Sequence, residues 1–125
     1  MIYLILWTHW FADFVLQTDA MAKGKSSSNA WLLRHIGVYT SGLYICLFGG
    51  CLARIAMGLS IPSARTLAVY CLINGLAHLS IDYVTSRITK RLWAEKRVHD
   101  FFVVIGFDQA LHMTTLMVTL PILGL

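Results

Sequence analysis

The sequence predicts an all-α integral membrane bundle of about four transmembrane helices, with a basic amphipathic extension between the third and the fourth. Three observations carry that expectation. Hydrophobic residues make up 58% of the 125 residues and charged ones only 13%, a balance outside the range of soluble globular domains. The apolar residues fall into four runs, about 1–17, 31–57, 64–83 and 100–125, each near the roughly 20 residues a bilayer span needs. Inside those runs an imidazole and a carboxylate recur four residues apart, at His9/Asp13, His78/Asp82 and Asp108/His112. Residues 1–125 are thus expected to form one polytopic membrane domain with no soluble module.

The first run is short for a span and carries His9, Asp13 and Gln17, where a removable signal sequence would be purely apolar. No Lys or Arg precedes Lys23, so the mature chain is expected to start at Met1. Residues 18–30 read as a loop, with Gly24, three consecutive serines and two lysines, and Ser28 or Asn29 as a cap for the second run. That run passes through His35, Tyr39 and the Gly49-Gly50 pair, where small residues allow close helix approach. Residues 58–63, with Pro62, form a tight turn flanked by Arg54 and Arg65 at snorkelling distance from headgroups.

The third run carries Asn74, His78 and Asp82, then continues without a helix breaker into residues 84–99. There Arg87, Lys90, Arg91, Lys96 and Arg97 alternate with Ile88, Leu92, Trp93 and Val98, the pattern of an amphipathic segment lying on a membrane surface and meeting anionic lipid headgroups. The fourth run holds Asp108, Gln109 and His112, with Pro121 near its end. Cys46, Cys51 and Cys71 show no CxxC spacing and read as buried free thiols.

The net charge of +4 does not point to nucleic acid, because the basic residues border apolar spans instead of sharing a polar surface with aromatics. With four spans, the loops after the first and third runs share one side and hold seven of the lysines and arginines. Only Arg54 and Arg65 flank the turn opposite. The positive-inside rule places the richer side in the cytoplasm and both termini outside.

That topology sets depth at about 1.5 Å per residue. Runs one and three descend, so their histidines lie deeper than their aspartates; run four ascends, and its order is reversed. His9, Asp13, His35, His78, Asp82, Asp108 and His112 therefore share one zone, roughly 5 to 16 Å below the cytoplasmic interface. Ionisable groups at such depth pair with one another or bind a cation. Mixed imidazole and carboxylate ligands suit a divalent metal such as Zn or Mn, and the seven residues are enough for one closed site or two open ones. A metal there would activate water for hydrolysis of a lipid or lipid-linked substrate, with Asp82 or Asp108 as base if not a ligand. Gln17, Asn74, Tyr83 and Gln109 are the expected surrounding contacts. Two other readings fit the same residues. One is a non-enzymatic structural or interaction protein whose His–Asp network satisfies itself; the other is an ion or proton conductor built as a homo-oligomer.

Several spaced motifs also carry a family resemblance. H-x-x-x-D-F-x-L-Q at His9 to Gln17, Met21-Ala22-Lys23, Leu33-x-His35, H-x-x-x-D-Y at His78 to Tyr83 and D-Q-x-x-H at Asp108 to His112 stand in order along nearly the whole chain. The sequence resembles the bacterial and phage membrane proteins grouped as domain of unknown function 3307. That resemblance implies no activity. A looser similarity in size and buried His/Asp content, to small inner-membrane proteins predicted to be metal-dependent hydrolases, favours the enzyme reading by analogy.

Overall fold

The computed structural model describes residues 1–124 and is helical throughout, with no strand among the described residues. Helix α1 (Ile2–Trp10) runs directly into a π-helical turn, Phe11–Val15, in which the Leu16 N–H reaches back to Phe11 O. Short helix α2 (Asp19–Gly24) is followed by the long α3 (Asn29–Ala56), α4 (Ala64–Ala94) and α5 (Val98–Val118), and a 3-10 turn, Leu120–Leu123, ends the described chain. Three stretches, α3, α4 and Val98–Leu123, are long and apolar enough to cross a membrane; Ile2–Val15 is a shorter apolar helix.

Side-chain partners give the topology. His35 meets Asp82, Asn29 meets Arg87 and Ser27 meets Lys90, so one helix advances as the other recedes, and α3 and α4 are antiparallel. Tyr70 bonds Leu116 O, Asp82 faces His112 and Thr85 bonds Asp108, which makes α4 and α5 antiparallel too. α1 packs on α3 and touches α5, closing a four-membered ring. Small residues let the helices approach: a Cβ at Gly75 would collide with Thr40 of α3, and one at Gly50 with Leu4 of α1. Gly49, by contrast, faces open space.

The bundle is divided along its length. Toward the Met1 end, Ile5, Leu43, Leu47, Leu67, Tyr70 and Leu116 form a buried apolar core. Toward the other end the interior is polar. Outside, large apolar side chains such as Trp7, Ile45, Leu72, Leu76, Phe102 and Phe107 stand exposed, as they would against lipid.

Several sequence expectations need correction. Residues 18–30 are not all loop, because Thr18 caps α2 by accepting a hydrogen bond from the Met21 N–H. Ser28 sits at the N-cap of α3 without a side-chain cap bond, and Asn29 instead accepts from Arg87. Residues 84–94 are no separate surface segment. They continue α4 as one 31-residue helix, about 45 Å long, whose Thr85, Ser86, Thr89 and Leu92 are buried within the bundle. The chain then turns at residues 95–97 and α5 starts at Val98, earlier than expected. Of the five basic residues of this stretch, Arg87 and Lys90 reach back to Asn29 and Ser27 across the bundle. Arg54 donates twice to Ser60 O and so braces the 58–63 turn. Cys46, Cys51 and Cys71 are free thiols.

Candidate metal centre

All seven predicted ionisable residues are brought into one buried cluster. Each owes its place to helix geometry: four residues separate His78 from Asp82 and Asp108 from His112, so each pair lies on one face of its helix, one turn apart. His9 and Asp13 are spaced likewise, but the π-helical turn begins between them, and their closest approach is 3.9 Å. π turns inside helices often mark functional sites. Asp13 Oδ1, within this turn, lies 3.2 Å from His35 Nε2 and 3.3 Å from His78 Nε2.

Four donor atoms from three elements, the π turn, α3 and α4, approach one another. His35 Nε2 and His78 Nε2 are 3.1 Å apart; Asp82 Oδ2 lies 3.3 Å from the first and 3.5 Å from the second, and Asp13 Oδ1 completes the group. A tetrahedral zinc with ligands at about 2.0–2.1 Å holds neighbouring donor atoms about 3.3–3.4 Å apart. The three separations within the His35–His78–Asp82 triad, 3.1, 3.3 and 3.5 Å, bracket that value, and Asp13 Oδ1 lies 3.2 and 3.3 Å from the two imidazoles. The other carboxylate oxygen, Asp82 Oδ1, is 3.3 Å from His112 Nε2, which in turn is 3.4 Å from Asp108 Oδ2. Asp82 thus joins two three-donor sets.

Neighbouring groups orient the ligands. Gln109 is the hub: its amide nitrogen donates to Asp13 Oδ2 and Asp108 Oδ2, and its oxygen faces His9 Nε2 at 3.3 Å. Thr85 donates to Asp108 Oδ1 at 2.5 Å. Tyr39 is hydrogen-bonded to His9 Nδ1 and stacks on His78, whose ring is also stacked on His112 with centroids 4.0 Å apart. The Nδ1 atoms of His35 and His78 are buried without a partner among the described residues, so stacking, not a second hydrogen bond, holds the His78 ring. Lys25, from the stretch between α2 and α3, donates to Asp82 Oδ2 at 2.7 Å.

The charge balance is unusual. With neutral imidazoles, three buried carboxylates and one ammonium leave two negative charges, which burial makes costly unless they are compensated. One divalent cation would supply that compensation, as would protons on two of the imidazoles. The carboxylates, not the imidazoles, form the floor of a cavity of roughly 610 Å³, beside Gln17 and Gln109.

Two predicted surrounding contacts lie elsewhere. Tyr83 is 48% exposed and carries Arg87 over its ring, because two turns after the exposed Leu76 it falls on the outer face of α4. Asn74 is buried but faces the opposite end, donating to Tyr70 O and Thr119 Oγ1. Lys25, Thr85 and Tyr39 hold positions that spacing within single helices does not reveal.

The family model described as Protein of unknown function (DUF3307) matches residues 1–123, and the chain belongs to that family. No curated protein and no solved structure matches it.

Proposed function

We propose that this protein is a metal-dependent hydrolase of the bacterial inner membrane, acting on a lipid or lipid-linked substrate reached from the cytoplasmic leaflet. The observation that carries this reading is the convergence of His35 Nε2, His78 Nε2 and Asp82 Oδ2 at separations matching three corners of a tetrahedral zinc shell, with Asp13 Oδ1 beside both imidazoles. Zinc is favoured over manganese because Mn sites are typically octahedral and rich in oxygen. The second set, His112, Asp108 and Asp82 Oδ1, supplies three donors and would leave a coordination position free, the arrangement typical of catalytic metals. A divalent ion there would lower the pKa of a bound water toward about 7 and polarise the ester under attack. Hydrolysis adds one water across the scissile bond, the oxygen going to the acyl carbon or phosphorus and a proton to the leaving alcohol. Asp108, on the cavity floor, is placed to hold the attacking water.

In this reading both termini lie outside, with Lys23 and the exposed Arg91, Lys96 and Arg97 meeting the anionic cytoplasmic face. The conductor reading is disfavoured by the apolar core that fills the other half of the bundle.

A second reading, a metal-free structural network, is favoured by Lys25, which already supplies a cation to Asp82. Metal analysis of protein purified without chelators separates the two. The hydrolase reading expects at least one zinc per chain, loss of most of it in His35→Ala and His78→Ala, and retention in His99→Ala. It also expects metal-dependent release of product from a panel of phospholipids and isoprenoid phosphates. Metal far below one per chain and equal in all variants would overturn it.

A further inference from the structure

We infer that the cavity over the carboxylates binds the phosphate-bearing head of one membrane amphiphile, admitted sideways from the bilayer between α1 and α5. The inference rests on the metal reading above and adds to it the chemical class of the ligand.

The opening follows from unequal helix lengths. Asp13, near the end of the α1 segment, already stands beside Gln109 in the second half of α5. Beyond Leu16 the chain turns away into α2, which packs on α3. The first turns of α5 therefore have no α1 neighbour, and a side cleft is left where Phe14 faces Phe101, Phe102 and Ile105. Trp93 of α4 continues that apolar wall at 60% exposure. An alkyl chain fits such a wall better than a soluble head does.

Polar groups define the other end of the ligand. Lys23, Lys25 and Lys90 line the same cavity. Lys25 is paired with Asp82, but Lys23 and Lys90 have no carboxylate partner among the described residues, and they suit a head that is itself anionic and compact. A zwitterionic choline head would place its own cation among them. A phosphate offers oxygens to the lysines on one side and to a divalent ion on the other. The amphiphile, and not free inorganic phosphate, is the committed ligand because the wall is apolar along one side and lysine-lined along the other.

The test uses the full chain in a neutral maltoside detergent, with metal content measured on the same samples. Dodecyl phosphate, dodecyltrimethylammonium and inorganic phosphate are titrated separately, and the readout is the fluorescence of Trp93, taken as the difference between the protein and its Trp93→Phe variant. The expected result is a saturable change with dodecyl phosphate alone. It should weaken at least tenfold in the Lys23→Gln/Lys90→Gln double variant, which spares the buried Lys25–Asp82 pair, and persist in Arg65→Gln at the far end. An equal response to the cationic amphiphile, the same response to inorganic phosphate, or full binding in the double lysine variant would overturn the inference. Metal present without dodecyl phosphate binding sinks this inference alone; dodecyl phosphate binding without metal sinks only the reading beneath it.

Discussion

Asp82 ties the site together: one oxygen faces His35, His78 and Lys25, and the other faces His112. A carboxylate oxygen has two lone pairs, so Oδ2 can serve an ammonium and a metal together. Asp82→Asn keeps the shape, removes the charge and strands Lys25, whose side chain is only 19% exposed. Breaking a buried pair from one side costs about 3–5 kcal/mol. Unfolding in detergent should show Asp82→Asn destabilised by several kcal/mol and free of metal. Adding Lys25→Met should restore part of the stability but none of the metal. Equal stability for wild type and Asp82→Asn would show that the pair contributes nothing to holding the bundle. At this scale six of the seven histidines and aspartates are legible from four-residue spacing within single helices, and His35 from its depth in the second run. Lys25 is not, because its partner lies 57 positions away and only the fold brings the two together.

Helix ends show what sequence signals do and do not reveal. α3 and α4 stop in the same way, with the second residue beyond the C-cap bonding back into the last turns of the helix. Leu59 N–H reaches Arg54 O and Arg97 N–H reaches Leu92 O. In α3 the left-handed position is Gly58, at φ 69°, and the turn is visible in the sequence. In α4 it is Lys96, at φ 57°, so no glycine announces the end and the sequence reads as one helix running on toward His99. Lys96→Gly should therefore stabilise the protein by about 1 kcal/mol, read as a raised midpoint of thermal unfolding in detergent. A lowered midpoint would mean the lysine makes contacts that outweigh its strain. At the same corner the Arg91 guanidinium, bonded to Glu95, holds that carboxyl below its usual range and keeps it charged beside Arg97.

Across the whole molecule, the four apolar runs and the antiparallel order of the His/Asp pairs were legible because membrane spans are marked by length and composition alone. The continuity of α4 was not, since a basic amphipathic stretch reads alike whether it lies on a surface or extends a bundle helix. Three of its four buried residues, Thr85, Ser86 and Thr89, are polar side chains whose inward face hydropathy does not flag. The four-segment ring makes a further prediction. Cysteines introduced as Ser27→Cys and Ser60→Cys should be labelled by a membrane-impermeant maleimide from opposite faces of oriented vesicles, with Ser27→Cys reacting from the cytoplasmic face. Labelling of both from one face would break the topology on which the side cleft depends.

X-ray absorption at the zinc edge, on chelator-free protein, tests the centre itself most directly. The predicted shell is nitrogen and oxygen at about 2.0–2.1 Å, with outer-shell scattering from at least two imidazoles. A sulfur shell near about 2.3 Å, or a shell without imidazole, would place any metal away from His35 and His78 and contradict the proposed centre.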